Sequence, residues 1–181
     1  LDRIDPLGRL VVSEPPAALL ASGARLALPA GAGLYAETFG RLRFTRPDPP
    51  PASPDAALAS LAEAVRVQLA ALPAAERVAI FSRLSTDKTN DQKEAGLAFL
   101  PAAREALLDA QGDKAVRQNA RDFLSEWVTQ PVVEPHPTHA GFRESLRLYR
   151  ELVDLPVPVI ANPARWIVER AEQAQAQAAP Q

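Results

Sequence analysis

The stretch that decides the fold is residues 53–84, which read SPDAALASLAEAVRVQLAALPAAERVAIFSRL. Ser53 has the hydroxyl of a good N-cap, and Pro54 and Asp55 suit the first turn of a helix. An apolar stripe five turns long follows at three- and four-residue spacing, at Leu58, Leu61, Val65, Leu69 and Leu72. Pro73 ends this helix and opens a second one, whose inner face is predicted to carry Val78, Phe81 and Leu84. The short break between the two predicts an antiparallel helical hairpin.

Helical periodicity continues beyond this stretch and is punctuated by capping residues. Gly112 is a natural C-terminal cap, and Asp113 is a good N-cap for the helix after it. Thr138 is expected to cap the next helix, and Asn162, which precedes a proline, to start the last one. Between those two helices, residues 155–160 contain two prolines, which predicts a buried extended connector.

Apolar stripes in the remaining helices complete the predicted core. Trp127 and Trp166 each lie within such a stripe, so both are expected to be buried core anchors. The fold class that follows is mainly α, a five- to six-helix bundle with a small β-containing N-terminal arm.

A proline-rich segment separates that arm from the bundle. Five prolines between residues 47 and 54 favour an extended path, and the apolar periodicity changes there from about two to about 3.6. We expect an arm with short β-strands at 1–46, a linker at 47–54, a helical bundle domain at 55–172 and a flexible tail at 173–181.

The predicted arm is the part of the sequence that says most about function. Forty-six residues with short strands cannot build a sheet core alone, so they must cover the bundle, pair with another chain or stay loose. Exposed strand edges recruit partners by strand addition. The apolar side chains that would anchor such docking are Leu34, Tyr35, Phe39, Leu42 and Phe44.

Composition excludes several classes of protein. With 20 basic and 22 acidic residues the net charge is −2, which argues against broad binding to nucleic acid or anionic membranes. The apolar runs are far shorter than the roughly 20 residues of a membrane span. With no cysteine there is no disulfide framework and no thiolate nucleophile. The basic residues are almost all arginine and alanine is very common, as in bacterial proteins from GC-rich genomes. Residues 1–6 show no targeting signal, and a cytoplasmic location is favoured.

The two histidines of the chain, His136 and His139, lie three residues apart and follow Glu134. Two imidazoles and a carboxylate are donors that Zn²⁺ accepts, but three ligands leave a structural site incomplete. The simpler interpretation is a solvated loop held extended by Pro135 and Pro137. We therefore expect no functional metal and no cofactor.

Arg143, Arg147 and Arg150 share one face of a predicted helix at i, i+4 and i+7. Glu144 and Glu151 lie among them, which favours a solvated face with ion pairs. The alternative is a surface for an acidic or phosphate-bearing partner, so the three arginines are candidate partner-binding residues.

These observations favour a non-enzymatic protein–protein interaction or assembly module, which self-associates or docks on a protein partner through the arm. No catalytic residues are predicted, because the sequence lacks a nucleophile elbow and a catalytic histidine set. Two alternatives stay open: a nucleic-acid-associated accessory protein that uses the arm and helix arginines, and a metal-dependent enzyme centred on His136 and His139.

Overall fold

Helices account for most of the chain that the computed structural model describes, which is residues 51–86, 96–130 and 134–179. Six α-helices lie in these ranges: α1 Pro54–Ala70, α2 Ala74–Thr86, α3 Leu100–Leu108, α4 Lys114–Thr129, α5 Phe142–Val153 and α6 Pro158–Ala178. A short 3₁₀ turn, Leu97–Phe99, leads into α3. The mainly α prediction is confirmed, whereas the predicted β-containing arm lies outside the described residues.

Two helix starts form as the capping residues predict. The side chain of Ser53 accepts a hydrogen bond from the main-chain N–H of Ala56 at 3.1 Å and caps α1. The carboxylate of Asp113 caps α4 in the same way, accepting from the N–H groups of Ala115 and Val116. These bonds satisfy main-chain donors that a helix start otherwise leaves without partners.

The helices pack as a ring with α2 placed on one side of it. α1 contacts α3, α3 contacts α4, α4 contacts α6, α6 contacts α5, and α5 contacts α1. α2 packs mainly on α4 and shares few contacts with α1. The predicted antiparallel hairpin of α1 and α2 is therefore wrong. The apolar face of α2 packs on α4 instead, with Phe81 stacked on Phe123.

Helix α6 begins earlier than the sequence predicts and ends later. It starts at Pro158, so the predicted extended connector over 155–160 is wrong in its second half. Pro158 suits the first helical position, because the N–H group of that residue has no partner within the helix. Pro163 lies inside the helix, where core packing of Ile160 and Ala164 supports the turns on either side of it. The helix continues through the segment 173–178, since alanine and glutamine are good helix formers.

Helix α5 obtains its N-terminal cap from another helix. Its N-cap residue, Gly141, has the positive φ of 76° that favours glycine and carries no capping side chain. Asp55 of α1 accepts a hydrogen bond from the N–H of Glu144 at 2.9 Å. The predicted cap, Thr138, lies instead on the turn before the helix, so that prediction is wrong.

The core is a continuous apolar cluster that includes an aromatic row between α2 and α4. Phe81 and Phe123 lie 6.1 Å apart between ring centroids, and Phe123 and Trp127 lie 5.8 Å apart. Trp127 is buried, as predicted, and its Nε1–H donates to the Tyr149 hydroxyl at 2.8 Å. The largest fully buried side chains are Tyr149, Phe81, Phe99, Phe123, Leu69, Ile80, Leu100, Leu124 and Leu148.

Candidate interaction surface

The outer face of α6 carries the most exposed large apolar side chain among the described residues. The inner face of this helix packs into the core through Ile160, Ala164, Ile167, Val168 and Ala171. Beside this inner face, Val159, Pro163, Trp166 and Arg170 follow one another at spacings of four, three and four residues, which places them on one stripe. Trp166 is 58% exposed and Val159 is 47% exposed.

The indole of Trp166 is held by a cation. The guanidinium carbon of Arg170 lies 3.7 Å from the centroid of a Trp166 ring, and Arg170 in turn pairs with Glu134, which precedes α5. Stacking of this kind is worth about 0.5–1 kcal/mol at an exposed site. Here we define the Trp166 surface as Glu134, Val159, Trp166 and Arg170. Its indole stacks on Arg170 while much of its area stays in water.

The prediction that Trp166 anchors the core is wrong. Trp166 and Ile167 are neighbours on a helix, so their side chains point about 100° apart and only one of them faces the core. Ile167 is 1% exposed and takes that place. Sequence periodicity accommodates either residue, because the stripe of small and apolar residues along α6 is wide enough to include both. The signal that could have found the surface is the spacing of Val159, Trp166 and Arg170.

The predicted metal-binding candidates Glu134, His136 and His139 do not form one cluster in the structure. The carboxylate of Glu134 forms an ion pair with Arg170. His136 and His139 are exposed on the turn that follows, with ring centroids 5.5 Å apart. Within the described ranges no group of three or more histidine, cysteine, aspartate or glutamate side chains is arranged to hold a metal ion.

The three helix arginines lie on the exposed side of α5 and differ in their partners. Arg147 pairs with both Glu144 and Glu151. The hydrogen bond to Glu144 raises the pKa of the Arg147 guanidinium above its ordinary value. Arg150 pairs with Glu172 of α6 at 2.7 Å. Arg143 is exposed and makes no ion pair with any residue in the described part of the chain.

A groove of about 380 Å³ lies between α1, α3 and α5. Arg66 on one wall bonds to Glu63 and Glu105 at 2.7 Å and 2.9 Å, and Arg104 donates from Nε to the main-chain oxygen of Glu151. Its described lining is Arg66, Pro101, Arg104, Glu105, Leu108, Asp109 and Glu151. Arg66 and Glu105 link α1 to α3, and Arg104 links α3 to α5.

The predicted arm anchors Leu34, Tyr35, Phe39, Leu42 and Phe44 lie outside the described residues and stay predictions. None of the six described helices combines the length and apolar character that a membrane crossing requires. No family model matches the chain, and neither the curated proteins nor the solved structures include a significant match to it.

Proposed function

We propose that the chain is a non-enzymatic assembly module that associates with a second copy of itself through the Trp166 surface and the N-terminal arm. The observation that carries the proposal is the 58% exposure of an indole stacked on Arg170. Tryptophan and arginine are among the residues most enriched at binding hot spots. An indole that already stacks on a neighbouring side chain loses less conformational freedom when a partner covers it.

The area of the Trp166 surface indicates that a second docking element is needed. A tryptophan buries at most about 250 Å², whereas a standard interface buries about 800 Å² on each partner. The predicted arm supplies further apolar area through Leu34, Tyr35, Phe39, Leu42 and Phe44. In this proposal the arm adds to the contact that Trp166 anchors.

The two alternative functions have less support from the described residues. Arg147 and Arg150 are paired with carboxylates, which a nucleic-acid phosphate would have to displace. Arg143 is exposed and has no ion-pair partner among the described residues. For the metal-dependent enzyme, the carboxylate of Glu134 is already engaged by Arg170.

Sedimentation equilibrium of the full chain over a wide range of protein concentration tests the proposal. A chelator is present throughout, so that metal ions play no part in the result. Trp166→Ala and Phe44→Asp should each weaken self-association at least about tenfold, which is the size of effect expected of an interface anchor. Val67→Ala is the matched control, because Val67 is 53% exposed but lies on α1, away from the stripe on α6.

The outcomes separate the parts of the proposal. A chain that stays monomeric at every concentration contradicts self-assembly. Association that is unchanged in Trp166→Ala removes the Trp166 surface from the interface, and association that is unchanged in Phe44→Asp removes the arm. Circular dichroism of each variant confirms that its helical content is retained.

A further inference from the structure

The turn that carries the two histidines brings their rings to a spacing typical of shared metal ligands. The N–H of His139 donates to the main-chain oxygen of His136 at 2.9 Å, which closes the turn. The ring centroids lie 5.5 Å apart, with the ring planes inclined at 52°. When two imidazoles bind one metal ion tetrahedrally, with each nitrogen about 2 Å from the ion, their centroids lie about 5 Å apart. The observed spacing is close to that value.

A hydrogen bond to His136 adds a second feature that metal-binding histidines share. The Thr138 hydroxyl oxygen lies 2.7 Å from Nδ1 of His136. Histidines that bind metals usually donate their other ring N–H to an oxygen, which orients the ring. In the tautomer whose Nδ1–H donates to the Thr138 hydroxyl, Nε2 of His136 keeps its lone pair for a ligand. The Thr138 N–H donates to Nδ1 at 3.3 Å, so zinc binding at Nε2 would place the ring hydrogen on Nδ1 at the expense of this long hydrogen bond.

Two imidazoles are half of a closed four-coordinate site. Glu134 is engaged by Arg170, and no third histidine or cysteine exists anywhere in the sequence. A second copy related by a twofold axis would present the same two imidazoles, because such an interface joins identical patches. The turn adjoins the Trp166 surface, since Glu134 lies two residues before His136 and pairs with the arginine stacked on Trp166.

We infer that His136 and His139 form half of an intermolecular site for a borderline divalent metal ion such as Zn²⁺, and that the same pair of a second copy completes it. Neutral imidazole nitrogens suit zinc, copper and nickel ions, whereas magnesium and calcium prefer oxygen ligands. The site would lock the association that we propose for the Trp166 surface. The inference therefore goes beyond that function and rests on it for its second copy.

Zinc titration of the untagged full chain, freed of metal beforehand, tests the inference. Isothermal titration calorimetry should give about 0.5 Zn²⁺ per chain, since four nitrogens close one structural site. Sedimentation velocity should show the dimer fraction rising with zinc and not with magnesium. His136→Ala and His139→Ala should each abolish both responses. Thr138→Val should weaken zinc binding about tenfold, as loss of a supporting hydrogen bond typically does.

The possible results divide clearly. One Zn²⁺ per chain with no change in mass overturns the shared site, and zinc binding that survives His136→Ala overturns the assignment of the ligands. A dimer in chelator that zinc does not strengthen contradicts the inference but leaves the proposed function standing. A monomer in chelator that dimerises with zinc supports the inference and contradicts metal-free assembly. All three substituted side chains are exposed, so the thermal melt should stay unchanged.

Discussion

The two tryptophans of this chain lie in opposite kinds of environment. Trp127 is 7% exposed, packs on Phe123 and donates a hydrogen bond to Tyr149. Trp166 is 58% exposed, and its described ring contact is the guanidinium of Arg170. The same residue type, within equally regular helical patterns, holds the core together in α4 and is presented to solvent by α6. A tryptophan therefore contributes to stability or to recognition according to which neighbour on its helix takes the inward position.

The largest expected effect separates the two tryptophans by stability. Trp127→Ala should lower the free energy of unfolding by about 3–5 kcal/mol, because it leaves a cavity in the core. Trp166→Ala should change it by no more than about 1 kcal/mol, the value of an exposed cation–π contact. Chemical denaturation of both variants measures the difference. Equal losses would mean that Trp166 supports the core and would remove the contrast.

Gly96 shows how tightly the interior around Trp127 is packed. A Cβ atom on Gly96 would lie 2.3 Å from Cζ3 of Trp127, which is closer than any real contact. Gly96→Ala should therefore destabilise the protein by about 1–3 kcal/mol. Gly112→Ala is the control, since its Cβ would meet mainly the movable side chain of Asp109. A harmless Gly96→Ala would show that the indole has room to shift.

Alkaline pH tests the hydroxyl that receives the Trp127 hydrogen bond. Burial raises the pKa of Tyr149 well above its ordinary value near 10. The unfolded chain then loses this proton first, so stability is complete below about pH 10 and falls above it by up to about 1.4 kcal/mol per pH unit. Unfolding measured from pH 9 to 11 should show this fall, and Tyr149→Phe should reduce its slope. An identical slope in the variant would contradict the assignment.

The sequence predicts local interactions in this fold better than interactions between residues far apart in the chain. The caps at Ser53 and Asp113 were predictable because a cap bonds its own helix within three residues. The bond from Glu144 to Asp55 joins residues 89 positions apart, and only the packing of α1 on α5 brings them together. The outward position of Trp166 has the same origin. The helices that pack against α6 decide which of its sides is buried, and the periodicity of α6 alone does not identify them.

The smallest effect compares a partly buried polar contact with an exposed one. Asp55→Ala removes the cap of α5 and should cost about 1 kcal/mol, the usual value of an N-terminal cap. Arg150→Ala breaks its ion pair with Glu172, in which both side chains are about half exposed. Exposed pairs contribute little, so the change should stay within about 0.5 kcal/mol. Urea denaturation of both variants is the measurement, and a reversed order would contradict the placement of Asp55.

The central claim is that the Trp166 surface is an interface. Its most direct test is acrylamide quenching of tryptophan fluorescence, measured at increasing protein concentration in the presence of a chelator. Trp127 is buried and contributes little to quenching at any concentration, so the change reports on Trp166. We predict that the quenching constant falls as the sedimentation mass rises, because a second copy covers the indole. A mass that rises while the quenching constant stays unchanged would contradict the account.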